Sequence, residues 1–326
     1  MIIIRSPLRI TLGGGGTDLP SYYNKFDGFV ISAAINKYVY VSVTKPFKSG
    51  IYLKYSMLEN RKKLNQVKHP IIREALKLQS FKHPQIEIVT LTDIPSGTGL
   101  GSSGSFTTAL LKGLFEFKKE KISKRHLAEI ACDIEINLLK QPCGKQDQYI
   151  SSYGGINCFT FKKDKIVSVK PLNISSNTYK KLQKNLLLFF TGFSRSSSSI
   201  LKTQDNQSKI NKSSMIKNLH FVKKLGFQSR DALLKGDMKK FADLMNVHWN
   251  FKKKRSSSMT NPKIDKWYNL ALKNGAVGGK LVGAGGGGFL MFYASDVNKL
   301  KKKMVSLGLV EVPFDFDYSG TSMILR

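Results

Sequence analysis

Residues 95–105 read Pro95-Ser96-Gly97-Thr98-Gly99-Leu100-Gly101-Ser102-Ser103-Gly104-Ser105. The stretch follows an alternating apolar segment, Gln85 to Leu91, and precedes a run in which Phe106, Ala109, Leu110, Gly113, Leu114 and Phe117 recur at helical spacing. It therefore joins a strand to a helix. Its glycines let the backbone come within hydrogen-bonding distance of an anion. The helix beginning near Ser103 aims unpaired N–H groups, and about half a positive charge, at the same place. A nucleoside triphosphate suits such a cradle, and a serine hydroxyl at the helix start can serve the Mg2+ that travels with ATP. No Gly-Lys-Ser/Thr follows at the required spacing, so this is not a Walker A loop. Gly99-x-Gly101-x-x-Gly104 and Gly283-x-Gly285-x-x-Gly288 both match the dinucleotide fingerprint. Neither is followed by a strand with an acidic residue about 20 positions on, which sets that fingerprint aside.

Two more glycine clusters flank the first at long range. Gly13 to Gly16 ends an apolar segment, Pro7 to Leu12, and precedes Thr17 and Asp18, so a ligand can lie against bare backbone while Asp18 accepts from sugar hydroxyls. Lys280 to Gly288 precedes a strand, and six glycines in the ten residues from Gly279 exceed the needs of a turn. Strands are expected at Val39 to Thr44, Ile51 to Tyr55, Ile156 to Phe161 and Leu186 to Thr191, with a closing strand pair at Phe289 to Tyr293 and Ser322 to Leu325. Ser123 caps a helix running through Leu139, and helical patterns resume from about residue 196 to 224, at 229–234, 238–247 and 264–274. The expectation is a mixed α+β chain in two lobes.

With 326 residues the chain can build two cores. No stretch approaches the roughly 20 apolar residues of a membrane span, and Met1 to Pro7 lacks the features of a signal peptide. Three cysteines, Cys132, Cys143 and Cys158, make neither an even disulfide set nor a zinc spacing, which fits a reducing cytoplasm. The net charge of +31 raises nucleic acid as a partner, the alternative of another class. The lysines are spread along the whole chain without an aromatic-interleaved stripe, so neither nucleic acid nor membrane is expected as a partner. The assembly is expected to be a monomer or homodimer.

The three clusters, in this order and at these separations, resemble those of the GHMP kinases, the superfamily of galactokinase, homoserine kinase, mevalonate kinase and phosphomevalonate kinase. Within it, Ser6 to Pro20 and Gly144 to Tyr149 look like the D-glycero-D-manno-heptose 7-phosphate kinases, with fucokinase domains as the rival match. The resemblance implies an N-terminal lobe like ribosomal protein S5 domain 2 (residues 1–185), a ferredoxin-like C-terminal lobe (186–326), and an active site between them. It implies ATP and Mg2+ as cofactors and a small phosphosugar as partner. The implied activity is phosphorylation of the anomeric C1 hydroxyl of heptose 7-phosphate to the 1,7-bisphosphate, for activated-heptose and surface glycan synthesis; the alternative is a 1-kinase of L-fucose or another hexose.

By the same resemblance, Pro95, Gly97, Gly99, Leu100, Gly101, Ser102, Ser103 and Gly104 hold the ATP phosphates, Asp147 is the catalytic base, and Arg9 is the cation beside it. Ser103 and Glu135 are the implied Mg2+ ligands. Gly15 and Gly16 stand where galactokinases carry Glu-His, so hydroxyl recognition must differ, with Thr17 and Asp18 beside them. For a substrate that carries its own phosphate, Arg195 at a serine-rich helix start and Lys252, Lys253 and Arg255 after Trp249 are the two candidate anion sites, a solvated basic run being as good a reading of Lys254 and Arg255, with Gly285 and Gly286 in the third cluster. Lys145 has no counterpart in the wider family.

Overall fold

The apolar N-terminus, Ile2 to Ile4, opens the first strand of a computed structural model that describes residues 1–81, 85–194 and 197–326. In chain order the strands are β1 (Ile2–Gly14), β2 (Gly28–Thr44), β3 (Gly50–Lys54), β4 (Leu58–Arg61), β5 (Gln85–Thr92), β6 (Ile156–Phe161), β7 (Val167–Pro171), β8 (Leu186–Phe190), β9 (Ala276–Leu281), β10 (Phe289–Ala294), β11 (Val310–Glu311) and β12 (Ser322–Leu325). The helices are α1 (Pro20–Phe26), α2 (Pro70–Leu78), α3 (Ser102–Phe117), α4 (Lys124–Cys132), α5 (Gln146–Tyr153), α6 (Ser176–Asn185), α7 (Ser197–Lys209), α8 (Ser213–Lys235), α9 (Met238–Lys253), α10 (Pro262–Lys273) and α11 (Val297–Ser306).

The first sheet runs β12-β1-β2-β5-β3-β4, with β6 and β7 continuing from the other half of β2. Seventeen residues make β2 long enough for both neighbours: Val39 to Thr44 pair with β5, and Gly28 to Ala33 with β6. Inward-facing Ile4, Leu8, Ile10, Val41 and Val43 join Ala109, Leu110 and Leu114 of α3 in the main core. Gly113 lets α3 settle onto this sheet, since a Cβ there would sit 2.9 Å from Val43 Cγ2.

The second sheet is antiparallel, in the order β11-β8-β10-β9. With α10 before the β9–β10 hairpin and α11 between β10 and β11, this is the ferredoxin-like βαββαβ arrangement. Its own core gathers Phe189, Trp249, Ile264, Leu290, Phe292 and Leu300. Among the described residues no helix is long and apolar enough to cross a membrane.

Three expectations about elements change. Ser322–Leu325 does not pair with Phe289–Tyr293; it closes the first sheet beside β1, Met323 opposite Ile4. The chain end thus returns from the second sheet to the first, because β10 already has β8 and β9 on its two edges. The helix capped by Ser123, whose Oγ accepts from His126 N at 3.2 Å, keeps α spacing only to Cys132. Asp133–Leu138 widens to a π-helical turn, with Leu139 N bonding Ile134 O five residues back, and it carries Glu135 inward to 1% exposure. The long helix expected from 196 to 224 is two helices, α7 and α8, parted at Asn211 (φ 52°). The second of them takes in 229–234 as well and ends at Gly236.

Candidate active site

Two helix starts converge on the end of β1. The N-cap of α3 is Gly101 in the left-handed region (φ 79°) with no side-chain cap, and the first amide to bond within the helix is Ser105 N, to Gly101 O. The amides of residues 102–104 therefore face the cleft as anion donors. A Cβ at Gly104 would lie 2.8 Å from Asp147 Cβ and 2.9 Å from Gln148 N, so only glycine lets the start of α5 come this close.

Asp147, in the first turn of α5, meets Arg9 of β1 as a bidentate pair: Nε donates to Oδ1 at 2.7 Å and Nη2 to Oδ2 at 2.9 Å. Arg9 also donates through Nη1 to Gly99 O, and its backbone N bonds Leu100 O at 2.9 Å. The guanidinium thus ties the glycine-rich loop, β1 and the candidate base into one unit.

A cleft of about 460 Å3 opens on one side of this pair, lined by Ser96, Gly97, Gly99, Gly101, Ser102, Ser103 and Gly104. Tyr55, His69 and Phe106, with successive ring centroids 4.8 and 5.1 Å apart, line it as well, as do Val39 and Ile71. Leu100 and Pro95 stand outside that lining. Leu100 is 1% exposed and belongs to the core, and Pro95 offers its carbonyl to Thr98 Oγ1, so both shape the loop rather than touch the cleft. Ser103 Oγ donates to Glu135 Oε2, and Gln148 Nε2 donates to Oε1 at 2.9 Å. Burial raises the Glu135 pKa against these hydrogen bonds. A carboxylate held this way beside a hydroxyl is a hard-oxygen donor set suited to Mg2+, which takes one or two protein ligands and completes its shell with phosphates and water.

On the other side of Asp147 lies a smaller cavity of about 90 Å3. Arg9, Cys143, Asp147, Leu201 and Ala284 line both spaces, so Asp147 stands at their junction. Gly15, Gly16 and Asp18 line the small cavity. Asp18 is 3% exposed and accepts from Gly16 N and Gln146 N. Burial, and then the charge of Asp147, push its pKa up to about 6.

Thr17 does not reach this cavity: its hydroxyl donates to Phe29 O and accepts from Phe29 N, pinning the turn to β2. Gly285 and Gly286 are likewise away from both spaces. A Cβ on Gly285 would meet Met259 Sδ at 2.8 Å, and Gly286 N bonds Met259 O. The third cluster mainly lays backbone on backbone, a Cβ on Gly283 falling 2.4 Å from Gly99 O and one on Gly288 2.0 Å from Thr98 O. It is Gly283 and Ala284 that line the cavities.

Of the candidate anion residues, Lys252 is buried at the small cavity, its Nζ donating to Leu281 O and Gly283 O. Lys253 turns away, toward Asp265 at 3.4 Å, because successive helix positions point about 100° apart. Arg195 lies outside the described residues. Lys145 points outward, donating to Lys165 O over the Tyr23 ring.

Sequence reasoning left Arg255 evenly poised between an anion contact and a solvated basic run and missed Lys280, His248 and Gln204; all four line the small cavity. Arg255 is 7% exposed; Nε donates to Asn218 Oδ1, Nη1 to Gln204 Oε1 and Nη2 to Gly15 O, while Gln204 Nε2 donates to Gly16 O. Among the described residues Lys252, Arg255 and Lys280 bond only carbonyl oxygens, amide oxygens and an imidazole. Buried cations without carboxylate partners are costly unless an anion joins them.

Against known proteins, the model of the GHMP kinases N terminal domain matches residues 67–155 and that of the GHMP kinases C terminal matches 229–308. The D-glycero-alpha-D-manno-heptose 7-phosphate kinase of Campylobacter jejuni subsp. jejuni serotype O:2 is 30% identical over 307 residues, 90% of each chain. The chain belongs to the GHMP kinases. A crystal structure of a D-glycero-D-manno-heptose 1-phosphate kinase from Bacteroides thetaiotaomicron superposes with a TM-score of 0.82 at 25% identity, covering 100% of this chain and 99% of that one. The L-fucokinase/L-fucose-1-P guanylyltransferase of Bacteroides fragilis is 27% identical over 330 residues; the match takes in 90% of this chain and 34% of that longer protein. This GHMP kinase is accordingly an ATP-dependent sugar phosphotransferase of mixed α+β fold.

Proposed function

We propose that the protein transfers the γ-phosphoryl group of ATP to the anomeric C1 hydroxyl of D-glycero-D-manno-heptose 7-phosphate, giving the 1,7-bisphosphate for activated-heptose synthesis. The observation that carries the substrate assignment is the small cavity beside Asp147, where three buried basic side chains, Lys252, Arg255 and Lys280, converge with no carboxylate among their hydrogen-bond partners. A free hexose supplies no charge to satisfy them, whereas a sugar phosphate carries about two negative charges at neutral pH. The names of the two heptose kinases point the same way, though they disagree on where the substrate phosphate sits.

The large cleft takes the nucleotide, its phosphates on the amides of 102–104 and its base toward Tyr55, His69 and Phe106. Ser103 and Glu135 would hold Mg2+, which when bound neutralises charge on the transferring phosphate. Asp18 accepts from sugar hydroxyls and fixes the sugar against the bare backbone of Gly15. Asp147 at the junction accepts the proton of the attacking hydroxyl, and Arg9 keeps its carboxylate ionised and oriented. In-line placement of the two substrates across Asp147 supplies the remainder. The proposed division into 1–185 and 186–326 is supported by β1 to β7 and β8 to β11 forming separate sheets, β12 being the exception that pairs with β1.

The test is ADP release from the purified protein with heptose 7-phosphate, heptose 1-phosphate, free heptose and L-fucose. Turnover that requires the 7-phosphate and leaves C1 phosphorylated supports the assignment; equal turnover on a free sugar would refute it.

A further inference from the structure

The small cavity has an inner wall that neither ion pairing nor core packing explains. Lys280, on β9, is 3% exposed and lines it. Its Nζ donates to Leu12 O at 3.2 Å and lies 3.5 Å from His248 Nδ1. Lys252 also has two partners, the carbonyl oxygens of Leu281 and Gly283, whereas one of the two partners of Lys280 is the His248 imidazole. With one carbonyl and one imidazole as partners, a charged Lys280 keeps a third N–H for whatever occupies the cavity. His248 also lines the cavity, and its Cε1 would be 3.9 Å from a Cβ built on Gly15, the bare position at the cavity's edge.

We propose that Lys280 binds the substrate's own phosphate and takes up a proton from solvent as that phosphate enters, fixing His248 as a neutral Nε2–H donor to the same ligand. The inference rests on the phosphosugar assignment and adds a residue and a proton to it. Before the anion arrives, burial brings the Lys280 pKa down to about 7, so in mildly alkaline solution the amine is mostly neutral. Burial, followed by the charges of Lys280, Arg255 and Lys252, pulls His248 well below its usual range and keeps the ring neutral.

The ionisable groups that share the cavity are Arg9, Asp18, Asp147, Lys252 and Arg255; Arg9 and Asp147 neutralise each other, and burial, followed by the charges of Arg255, Lys280 and Arg9, also pulls the Lys252 pKa well below its usual value. A phosphate dianion brought beside Lys280 favours the ammonium, so one solvent proton adds to the Nζ lone pair and no other bond changes. The ammonium can only donate, which makes His248 Nδ1 the acceptor and places the ring proton on Nε2.

Titration calorimetry of the whole protein with D-glycero-D-manno-heptose 7-phosphate at pH 8, in two buffers of different ionisation enthalpy, measures the proton directly. The phosphate is already a dianion at that pH and adds no proton change of its own. The wild type is expected to take up close to one proton per chain with the phosphosugar and none with the dephosphorylated heptose. Lys280→Arg should still bind the phosphosugar but without uptake, because a guanidinium never loses its proton, whereas Lys252→Arg should keep the uptake; a merely structural Lys280 would leave the uptake unchanged in its variant, and uptake lost only in Lys252→Arg would overturn the inference. Binding by the wild type with no buffer dependence, or full uptake in Lys280→Arg, overturns the inference while leaving the substrate assignment standing. Absence of any phosphosugar binding overturns the assignment, and the inference with it.

Discussion

Replacing Asp147 by Asn separates what this carboxylate does for the fold from what it does for the reaction. In the wild type it accepts two hydrogen bonds from the Arg9 guanidinium, at 2.7 and 2.9 Å, while Arg9 is 6% and Asp147 25% exposed at the side chain. An amide accepts only one of these bonds and turns an NH2 toward the cation. Charge-assisted bonds of this kind contribute about 1.5–3 kcal/mol each. Solvent reaches Asp147, and Arg9 keeps its bond to Gly99 O, so the expected loss of stability is about 2–3 kcal/mol, a melting point lower by several degrees.

The kinetic loss is of another kind. Removing a positioned base costs about 10²–10⁴-fold, or roughly 3–5 kcal/mol of barrier. The assay pairs a thermal melt and a nucleotide-binding titration with ADP release at saturating ATP and sugar. The expected pattern is nucleotide affinity within a few-fold of wild type and turnover down by at least about 100-fold. A variant that melts lower yet turns over at the wild-type rate would leave Asp147 a purely structural partner of Arg9.

Arg255→Met should raise KM for the phosphosugar by about 10- to 100-fold, the equivalent of one charge-assisted hydrogen bond, with KM for ATP nearly unchanged; equal effects on both substrates would show that the residue only supports the fold. Gly144→Ala should disable the sugar side alone, since a Cβ there would lie 1.8 Å from Asp18 Oδ2 and must displace that carboxylate. Wild-type KM for the sugar in Gly144→Ala would contradict the role given to Asp18.

The phosphate loop was legible because its chemistry is local. Glycines next to a helix start act on a ligand through their own backbone, and α3 begins within a residue of where the pattern placed it. Arg9 and Asp147, named through a resemblance in their flanking residues, come together as an ion pair. What stayed hidden depends on packing between distant segments. Arg255 belongs to a run of basic residues that reads equally well as an anion contact or a solvated face, and its packing against Gly15, 240 positions earlier, decides for the cavity. Lys280 reaches Leu12 across 268 positions in the same way.

Thr17 and Gly285 show the converse. A hydroxyl or a glycine beside a motif looks like a ligand contact, yet the structure spends the first on Phe29 and the second on Met259. The π-helical turn at Asp133–Leu138 left no mark on the apolar spacing of α4, although it is what buries Glu135.

The most direct test of a phosphosugar kinase with Asp147 between its two substrates is the ratio of kcat/KM for heptose 7-phosphate to that for the same heptose without its phosphate, followed by ADP release. The buried basic side chains Lys252, Arg255 and Lys280 predict a ratio of at least about 10³, because the dephosphorylated sugar forgoes two or more charge-assisted hydrogen bonds at once. A ratio near one would contradict it.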